Sequence, residues 1–368
     1  MNLIYDHQIF ARQRYGGISR YFFELISRLS QTSEVDLTLF LGFFINEYGI
    51  EKIKGLRHPI KSWKHAPFPK TSRLFMTMNA LWFSHVIAKA KRGIYHQTYY
   101  DLLAPDFKGK RIVTVYDMIH ELHPSHFSSK ETEAVMRTKK LSVEKADGII
   151  CISESTKKDL LNHFDVEEDK VKVIYLGNSL DIPINASAII DGPYILYVGV
   201  RGGYKNFSAL LTAYARSERI RQEFKIVCFG GGLFNSQEKE LIRSFNLVGK
   251  VLQQSGSDEI LANLYHYATL FVFPSLYEGF GIPLLEAMHY GCPVLASDVS
   301  SIPEVLGPAG LYFNPTDIDN LAHNLGRVLY DVTLRVKMKD IGLEQGRRFS
   351  WNHCAKETHV FYEKVLSA

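Results

Sequence analysis

Short apolar runs alternate along the chain with longer stretches in which an apolar residue recurs every three or four positions. In the first half, strand-like runs at Leu3–Tyr5, Val35–Phe44, Ile94–His96, Ile112–Tyr116, Gly148–Ile152 and Val171–Leu176 alternate with helical patterns such as Ser19–Leu29 and Lys130–Lys145. In the second half, runs at Tyr194–Gly199, Lys225–Gly230, Val251–Gln253, Leu270–Phe273, Val294–Ala296 and Gly310–Phe313 alternate with helices such as Asn206–Arg216 and Gln237–Phe245. Short apolar strands between helices predict parallel sheets covered by helices on both faces, hence an α/β protein of two doubly wound, Rossmann-like domains. Residues 181–193 (DIPINASAIIDGP) follow neither period and carry two prolines, which predicts a linker between a domain at 1–180 and one at 194–350. Residues 351–368 close the chain with an amphipathic helix that sets Ala355, Thr358, Tyr362, Val365 and Leu366 roughly on one face.

Composition changes this picture little. A chain of 368 residues exceeds the size at which one core stops growing, and 46% apolar content supports two cores. The N-terminus (MNLIYDHQIF) turns polar within five residues, and no run reaches the roughly 18 apolar residues of a membrane span, so neither a signal peptide nor a spanning helix is expected. Cys151, Cys228, Cys292 and Cys354 are far apart and form no CxxC pair, as suits reduced thiols of a cytoplasmic protein with neither a disulfide frame nor a zinc site.

Charge is more informative locally than globally. The net charge is only +4, yet from Lys52 to Tyr100 there is no acid. That stretch carries Lys52, Lys54, Arg57, Lys61, Lys64, Lys70, Arg73, Lys89, Lys91 and Arg92, interleaved with Trp63, Phe68, Phe75, Trp82 and Phe83. Basic residues near an anionic leaflet contribute about 1 kcal/mol each, and aromatic rings settle at the interface. The expectation is a face at residues 52–100 that docks on the inner surface of the plasma membrane, against the alternative of a basic surface over ordinary core aromatics. No recognition fold accompanies the patch, so nucleic acid is not expected as a partner.

The chemistry concentrates in PSLYEGFGIPLLEA, Pro274 to Ala287, where Glu278 and Glu286 stand eight positions apart. An apolar strand stops at Pro274, a polar loop carries Glu278, and Gly279, Gly281 and Pro283 open a helix that carries Glu286. A helix N-terminus offers N–H groups and partial positive charge, and glycines allow close backbone approach. Carboxylates accept bonds from hydroxyl groups, so one acid in the loop and one farther along the helix suit the two ends of an extended ligand such as a sugar nucleotide. Gly16–Gly17, Asp117, Arg201 and Lys205 also follow strands, at the carboxyl edge where parallel sheets bind ligands.

These residues carry a family resemblance. PSLYEGFGIPLLEA resembles the E-x7-E signature of the retaining glycosyltransferases of family 4, which have the two-domain GT-B fold. In chain order, GGISRYF (Gly16 to Phe22) is similar to that family's N-terminal glycine loop, RIVTVYDMIHELHP (Arg111 to Pro124) to its catalytic strand and loop, and YVGVRGGYKNFSALL (Tyr197 to Leu211) to its donor-phosphate segment. GCPVLASDVSSIPEVLGPAGLYFNPTD (Gly291 to Asp317) is similar to the end of its donor domain. The resemblance implies a hexose transfer from a nucleotide sugar to a glycan or lipid-linked acceptor with retention of configuration, the acceptor hydroxyl attacking on the face from which the phosphate departs. It implies that Glu278 and the segment Gly279, Phe280, Gly281 and Ile282 hold the donor sugar, that Glu286 holds the ribose, and that the final helix crosses back onto the first domain. Negative charge grows on the leaving diphosphate, and preorganised cations and N–H groups stabilise it; Arg201, Lys205 and the Gly16–Gly17 amides fit that part. Mannose from GDP-mannose is the expected donor, in O-antigen or capsule-like polysaccharide assembly, with UDP- or dTDP-hexoses as alternatives.

One position departs from the family pattern. Where many relatives end the catalytic strand in histidine, this chain has Tyr116, followed by Asp117. Tyrosine donates and accepts hydrogen bonds but carries no positive charge. The first-domain catalytic contact therefore falls to Asp117, with Tyr116 on the donor and His96 and His120 as acceptor-side candidates. No metal or other cofactor is expected: the Asp-x-Asp pair Asp317–Asp319 sits where a helix start needs a cap. No G-x-G-x-x-G follows the first strand of either domain, against a dinucleotide oxidoreductase. An epimerase or phosphorylase on the same frame, or a non-catalytic scaffold, are the remaining alternatives; a scaffold predicts an eroded donor site, whereas Arg201, Lys205, Glu278 and Glu286 are all present.

Overall fold

The computed structural model describes residues 1–65, 71–101, 107–184 and 187–368, with side chains of the second stretch from Leu74 onward. Phe68 and Lys70 of the basic stretch lie outside the described residues, as does the side chain of Arg73. The chain divides into two compact units, Met1–Leu176 with Trp351–Ala368, and Gly177–Ser350.

In the first unit the strands are β1 (Asn2–Tyr5), β2 (Asp36–Leu39), β3 (Phe43–Phe44), β4 (Trp63–Lys64), β5 (Ile94–Gln97), β6 (Lys110–Val115), β7 (Gly148–Cys151) and β8 (Val171–Val173). Six of them form a parallel sheet in the order β2-β1-β5-β6-β7-β8. Inner strands β5 and β7 are buried at every position, as the unbroken apolar run of β7 requires. The single run expected over Val35–Phe44 is two strands: after Phe40 N donates to Tyr5 O, the chain turns at Gly42 (φ 58°) and leaves the sheet, and β3 pairs with β4. Helix Thr71–Ala88, whose sequence shows no clean apolar stripe, sends Phe83 and Ile87 into a cluster with Ile4, Phe40 and Tyr95.

The helix Trp351–Ser367 packs on this same unit. Trp351 meets Tyr21 at 6.1 Å between ring centroids, and Arg28 Nε donates to Asn352 Oδ1 at 2.8 Å. The buried face comprises Trp351, Cys354, Ala355, Thr358, Phe361, Tyr362 and Val365. Leu366, placed on that face by periodicity, is instead 39% exposed, at the helix end where the register no longer meets the sheet.

The second unit holds β9 (Tyr194–Val198), β10 (Lys225–Phe229), β11 (Val251–Gln254), β12 (Leu270–Phe273), β13 (Val294–Ser297) and β14 (Gly310–Phe313). They pair in parallel in the order β11-β10-β9-β12-β13-β14. Leu210, Leu211, Ile226, Val272, Leu295 and Leu325 anchor its core. The chain runs outward from β9 through β10 to β11, then returns to β12 on the other side. The ends of β9 and β12 therefore flank the topological switch point, the crevice where such sheets bind ligands.

The boundary lies a few residues earlier than the expected linker at 181–193, because the described part of that segment is tied to the second unit. Ile182 N donates to Tyr290 Oη at 3.0 Å, and Asn263 bonds Ser187 O and Ile189 N. All four cysteines are buried and unbridged.

Candidate active site

Lys205 and Glu278 meet at the switch point. Lys205 ends a short helical turn after β9, Glu278 lies in the loop after β12, and Nζ is 2.7 Å from Oε1 with both side chains largely shielded. Ser275 Oγ donates to the same carboxylate oxygen at 2.6 Å. The two loops are stitched together: Leu276 N donates to Tyr204 O at 2.7 Å, and Asn206 Nδ2 donates to Pro274 O and Pro315 O. Asn206 has φ 56°, a left-handed conformation that asparagine tolerates better than most residues.

A third loop fixes the glutamate backbone. Glu278 N donates to Ser300 Oγ at 2.9 Å, while Ser301 Oγ donates to Glu278 O and Phe280 O. Gly281 then caps the helix Ile282–His289 at φ 101°, where a side chain would be strained and its Cβ would lie 2.9 Å from Leu284. One turn along that helix, Glu286 Oε2 accepts from the buried Tyr265 Oη at 3.0 Å. Burial, then the Glu286 charge, hold the Tyr265 phenol well above its ordinary range, so it remains a donor. Gly279, Phe280, Gly281 and Ile282 thus lie between two positioned carboxylates.

Three expected site residues face inward, each bonded to protein groups. Arg201 is buried (side chain 1% exposed), with its guanidinium on Glu238 and on the carbonyls of Gly230, Gly231, Gly232 and Leu233 rather than directed to a ligand. Tyr116, just after β6, donates from Oη to Thr98 O at 3.0 Å within a nest of tyrosines. His96 is fully buried: Nδ1 lies 2.5 Å from Tyr362 Oη and Nε2 2.8 Å from Thr114 Oγ1, and burial lowers its pKa to about 3. It belongs to the core, not to an acceptor surface.

The remaining first-unit candidates lie at the carboxyl edge of their own sheet. Asp117 follows β6; its Oδ1 accepts from Ile119 N at 3.2 Å and its carbonyl accepts from Lys139 Nζ at 2.8 Å. Lys139 is itself buried against Glu121, 2.8 Å away. His120 stacks on Phe127 at 4.2 Å, and its pKa is lowered chiefly by burial, with Asp117 opposing. The Gly16 amide donates to Tyr48 Oη at 3.2 Å, and Gln13 Oε1 accepts from Ser19 N, so two helix-start amides have protein partners; Gly17 heads the helix Gly17–Leu29.

Asp317 accepts from Asn320 N as a helix cap. Glu34, His359 and Glu363 approach one another on the first unit, but His359 Nδ1 is buried without a partner among the described residues, unlike a metal-bound imidazole, whose second nitrogen donates a bond. Asn206, Tyr265, Ser275, Ser300 and Ser301 escaped sequence reasoning; the one signal was Asn206, adjacent to Lys205 at a turn.

The basic stretch resolves into two kinds of residue. Phe83 is core, Trp82 and Phe75 stack on Phe43, and Trp63 is 40% exposed. Lys64 pairs with Glu47 and Arg57 with Asp36. Leu74 and Leu81, one face of helix Thr71–Ala88, are 58% and 66% exposed. Among the described residues no helix is long and apolar enough to cross a membrane.

Known proteins share this arrangement. Residues 15–181 match Glycosyltransferase Family 4 and residues 185–345 match Glycosyl transferases group 1. The chain is 28% identical over 371 residues to O-antigen chain mannosyltransferase B of Escherichia coli, covering 94% of this chain and 96% of that one. It is 31% identical over 224 residues to MMP alpha-(1->4)-mannosyltransferase of Mycolicibacterium hassiacum, covering 60% and 54%. A sucrose-phosphate synthase from Thermosynechococcus elongatus superposes with a TM-score of 0.79 at 21% identity, over 100% of this chain and 99% of that one, which fixes the fold as GT-B. Two glycosyltransferase matches in tandem, with the E-x7-E acids at the switch point of the second sheet, make this chain an enzyme of the family 4 glycosyltransferases.

Proposed function

We propose that this enzyme transfers mannose from GDP-mannose, with retention of configuration, to a hydroxyl of a glycan or lipid-linked acceptor in cell-surface polysaccharide assembly. The observation that carries the reading is the Lys205–Glu278 pair at the switch point, with Glu286 fixed by Tyr265 on the adjoining helix. The mannosyltransferase names of the relatives favour mannose over the hexoses of UDP or dTDP donors.

In this mechanism the incoming diphosphate takes the Lys205 ammonium from Glu278. The released carboxylate then accepts bonds from sugar hydroxyls, while Ser275 keeps it oriented. Glu286 accepts from the ribose hydroxyls. As the glycosidic bond breaks, the charge on the leaving phosphate is met by Lys205, worth on the order of several kcal/mol in a shielded site. The acceptor hydroxyl attacks from the same face and gives its proton to the departing phosphate. Asp117 makes the first-domain catalytic contact, and His120 serves the acceptor side. The cation needed is a side chain, so activity is expected to persist in chelator; complete, metal-reversible loss in EDTA would overturn that part.

The enzyme works in the cytoplasm at the inner face of the plasma membrane, with the exposed Leu74–Leu81 face and the neighbouring Lys89, Lys91 and Arg92 against anionic lipid. The deciding experiment is a thermal-shift screen with GDP, UDP, dTDP and ADP and their common sugars, on wild type, Glu286→Ala and Lys205→Ala. Ligand at 100 times its dissociation constant stabilises by about 2.7 kcal/mol. A shift with GDP that weakens in both variants is expected; no shift with any nucleotide would sink the reading.

A further inference from the structure

We propose that the loop Gly230–Phe234 is an oxyanion site that takes a phosphate of the donor on four main-chain N–H groups, and that the buried Arg201 builds it from behind. The inference rests on the donor reading above and replaces a direct role for the guanidinium.

The argument begins with where the carbonyls point. Arg201 Nη1 donates to Gly230 O at 2.8 Å, and Nη2 lies 3.2, 2.9 and 3.2 Å from the carbonyl oxygens of Gly231, Gly232 and Leu233. No peptide bond in the described residues is cis. In a planar trans peptide the C=O and N–H of one unit are antiparallel. Four carbonyls gathered on one cation therefore turn the N–H groups of Gly231, Gly232, Leu233 and Phe234 away from it. None of these four amides has a hydrogen-bond partner among the described residues, and Gly231 to Leu233 are exposed.

The sequence is built for this inversion. Gly230, Gly231 and Gly232 take φ values of 80°, 68° and 71°, and a Cβ on Gly231 would lie 2.8 Å from Gly199 O and 2.9 Å from Arg201 Nη1. Glu238 neutralises the guanidinium at 3.0 Å and closes a capping box with Asn235, so the following helix, Ser236–Ser244, starts at the loop and adds its dipole. A cation behind the carbonyls polarises each peptide and strengthens its outward N–H donor. The four outward N–H groups form a concave set of donors, which suits an oxyanion.

Its place is the carboxyl edge of the sheet. The loop follows β10, next to β9, whose end leads to Lys205, and it is held there by Gly199 N donating to Phe229 O and Gly230 N donating to Gln254 O.

The test is an amide-resolved NMR titration of the whole protein with GDP, inorganic pyrophosphate and guanosine. GDP and pyrophosphate should move the Gly231, Gly232, Leu233 and Phe234 amide resonances, and guanosine should leave them in place. GDP that moves resonances near Lys205 and Glu286 but not these four would overturn the inference and leave the donor reading standing. GDP that moves none would overturn both. In a folded Arg201→Met variant, GDP affinity should fall by about tenfold with guanosine affinity unchanged; equal loss for both would mean that Arg201 merely supports the fold. Because the titration uses the wild-type protein, a variant that fails to fold does not remove the test.

Discussion

Tyr362, in the final helix, and His96, at the end of β5, share a hydrogen bond of 2.5 Å in the core of the first unit. The same hydroxyl lies 2.8 Å from Tyr5 Oη, and the other His96 nitrogen lies 2.8 Å from Thr114 Oγ1. One phenol thus links the helix to two neighbouring strands. Tyr362→Phe leaves two buried polar groups short of a partner and should cost about 1–3 kcal/mol. Thermal melting should fall by roughly 2–4 °C per kcal/mol for a unit of this size. An unchanged melting point would mean that the bridge contributes nothing net.

Acid should act on this unit first. His96 and His7 are held neutral by burial, each with its pKa lowered to about 3, so between that value and the ordinary histidine range the unfolded chain binds two more protons than the native state. Stability therefore rises with pH there and is lost as pH falls. Asp6 works in the opposite sense: burial raises its carboxyl to about 6, so the native state holds a proton that the unfolded chain has released. The net is about one proton between roughly pH 4 and 6, a tenfold loss of the folding constant per pH unit. Denaturant titrations across that window should show this slope, and His96→Gln should flatten it.

Tyr265→Phe removes the phenol that donates to Glu286 Oε2 and leaves the carboxylate in place. A hydrogen bond to a charged group contributes about 1.5–3 kcal/mol, so GDP affinity should weaken at least about tenfold by calorimetry. Unaltered affinity would show that Glu286 needs no positioning.

The Lys139–Glu121 pair is buried, and Lys139 also supports the Asp117 carbonyl. Lys139→Met strands a buried carboxylate and should destabilise by about 3–5 kcal/mol. Lys139→Met/Glu121→Gln should regain most of that stability. If the Asp117 turn matters to catalysis, the double variant will fold yet turn over more slowly, with donor affinity kept; full activity would detach Asp117 from the reaction.

Flotation with liposomes separates lipid docking from a merely basic surface. Anionic vesicles should recover more protein than neutral ones, and Leu74→Ser/Leu81→Ser should reduce that recovery. Equal recovery from both would remove the membrane from the proposal.

The strands were legible because central parallel strands are apolar on both faces, and β12 (LFVF) and β7 (GIIC) read as such without any partner known. Helix Thr71–Ala88 was not, since its apolar residues crowd most of its circumference and leave no clean stripe. Within the site, charged residues beside glycines stood out: Lys205, Glu278 and Glu286. Their supports did not, because Tyr265, Ser300 and Ser301 act from 21 to 23 positions away and look like ordinary core or turn residues. Arg201 misled for a related reason. A loop cation is usually solvated, and only the three glycines at 230–232, whose carbonyls it collects, reveal that this one turns inward.

The helix Trp351–Ser367 gives the first unit a peculiar birth order. Its sheet is complete by Val173, but the phenol and tryptophan that seal it belong to residues made only after the whole second unit. At 5–20 residues per second, the intervening stretch takes on the order of ten to thirty seconds to translate. Throughout that interval the nascent first unit presents an unsealed apolar face, and Gly177–Ser350 receives its last residue before the sealing helix is made. The unit that begins the chain is therefore the second to mature, and chaperones would find their binding surface there.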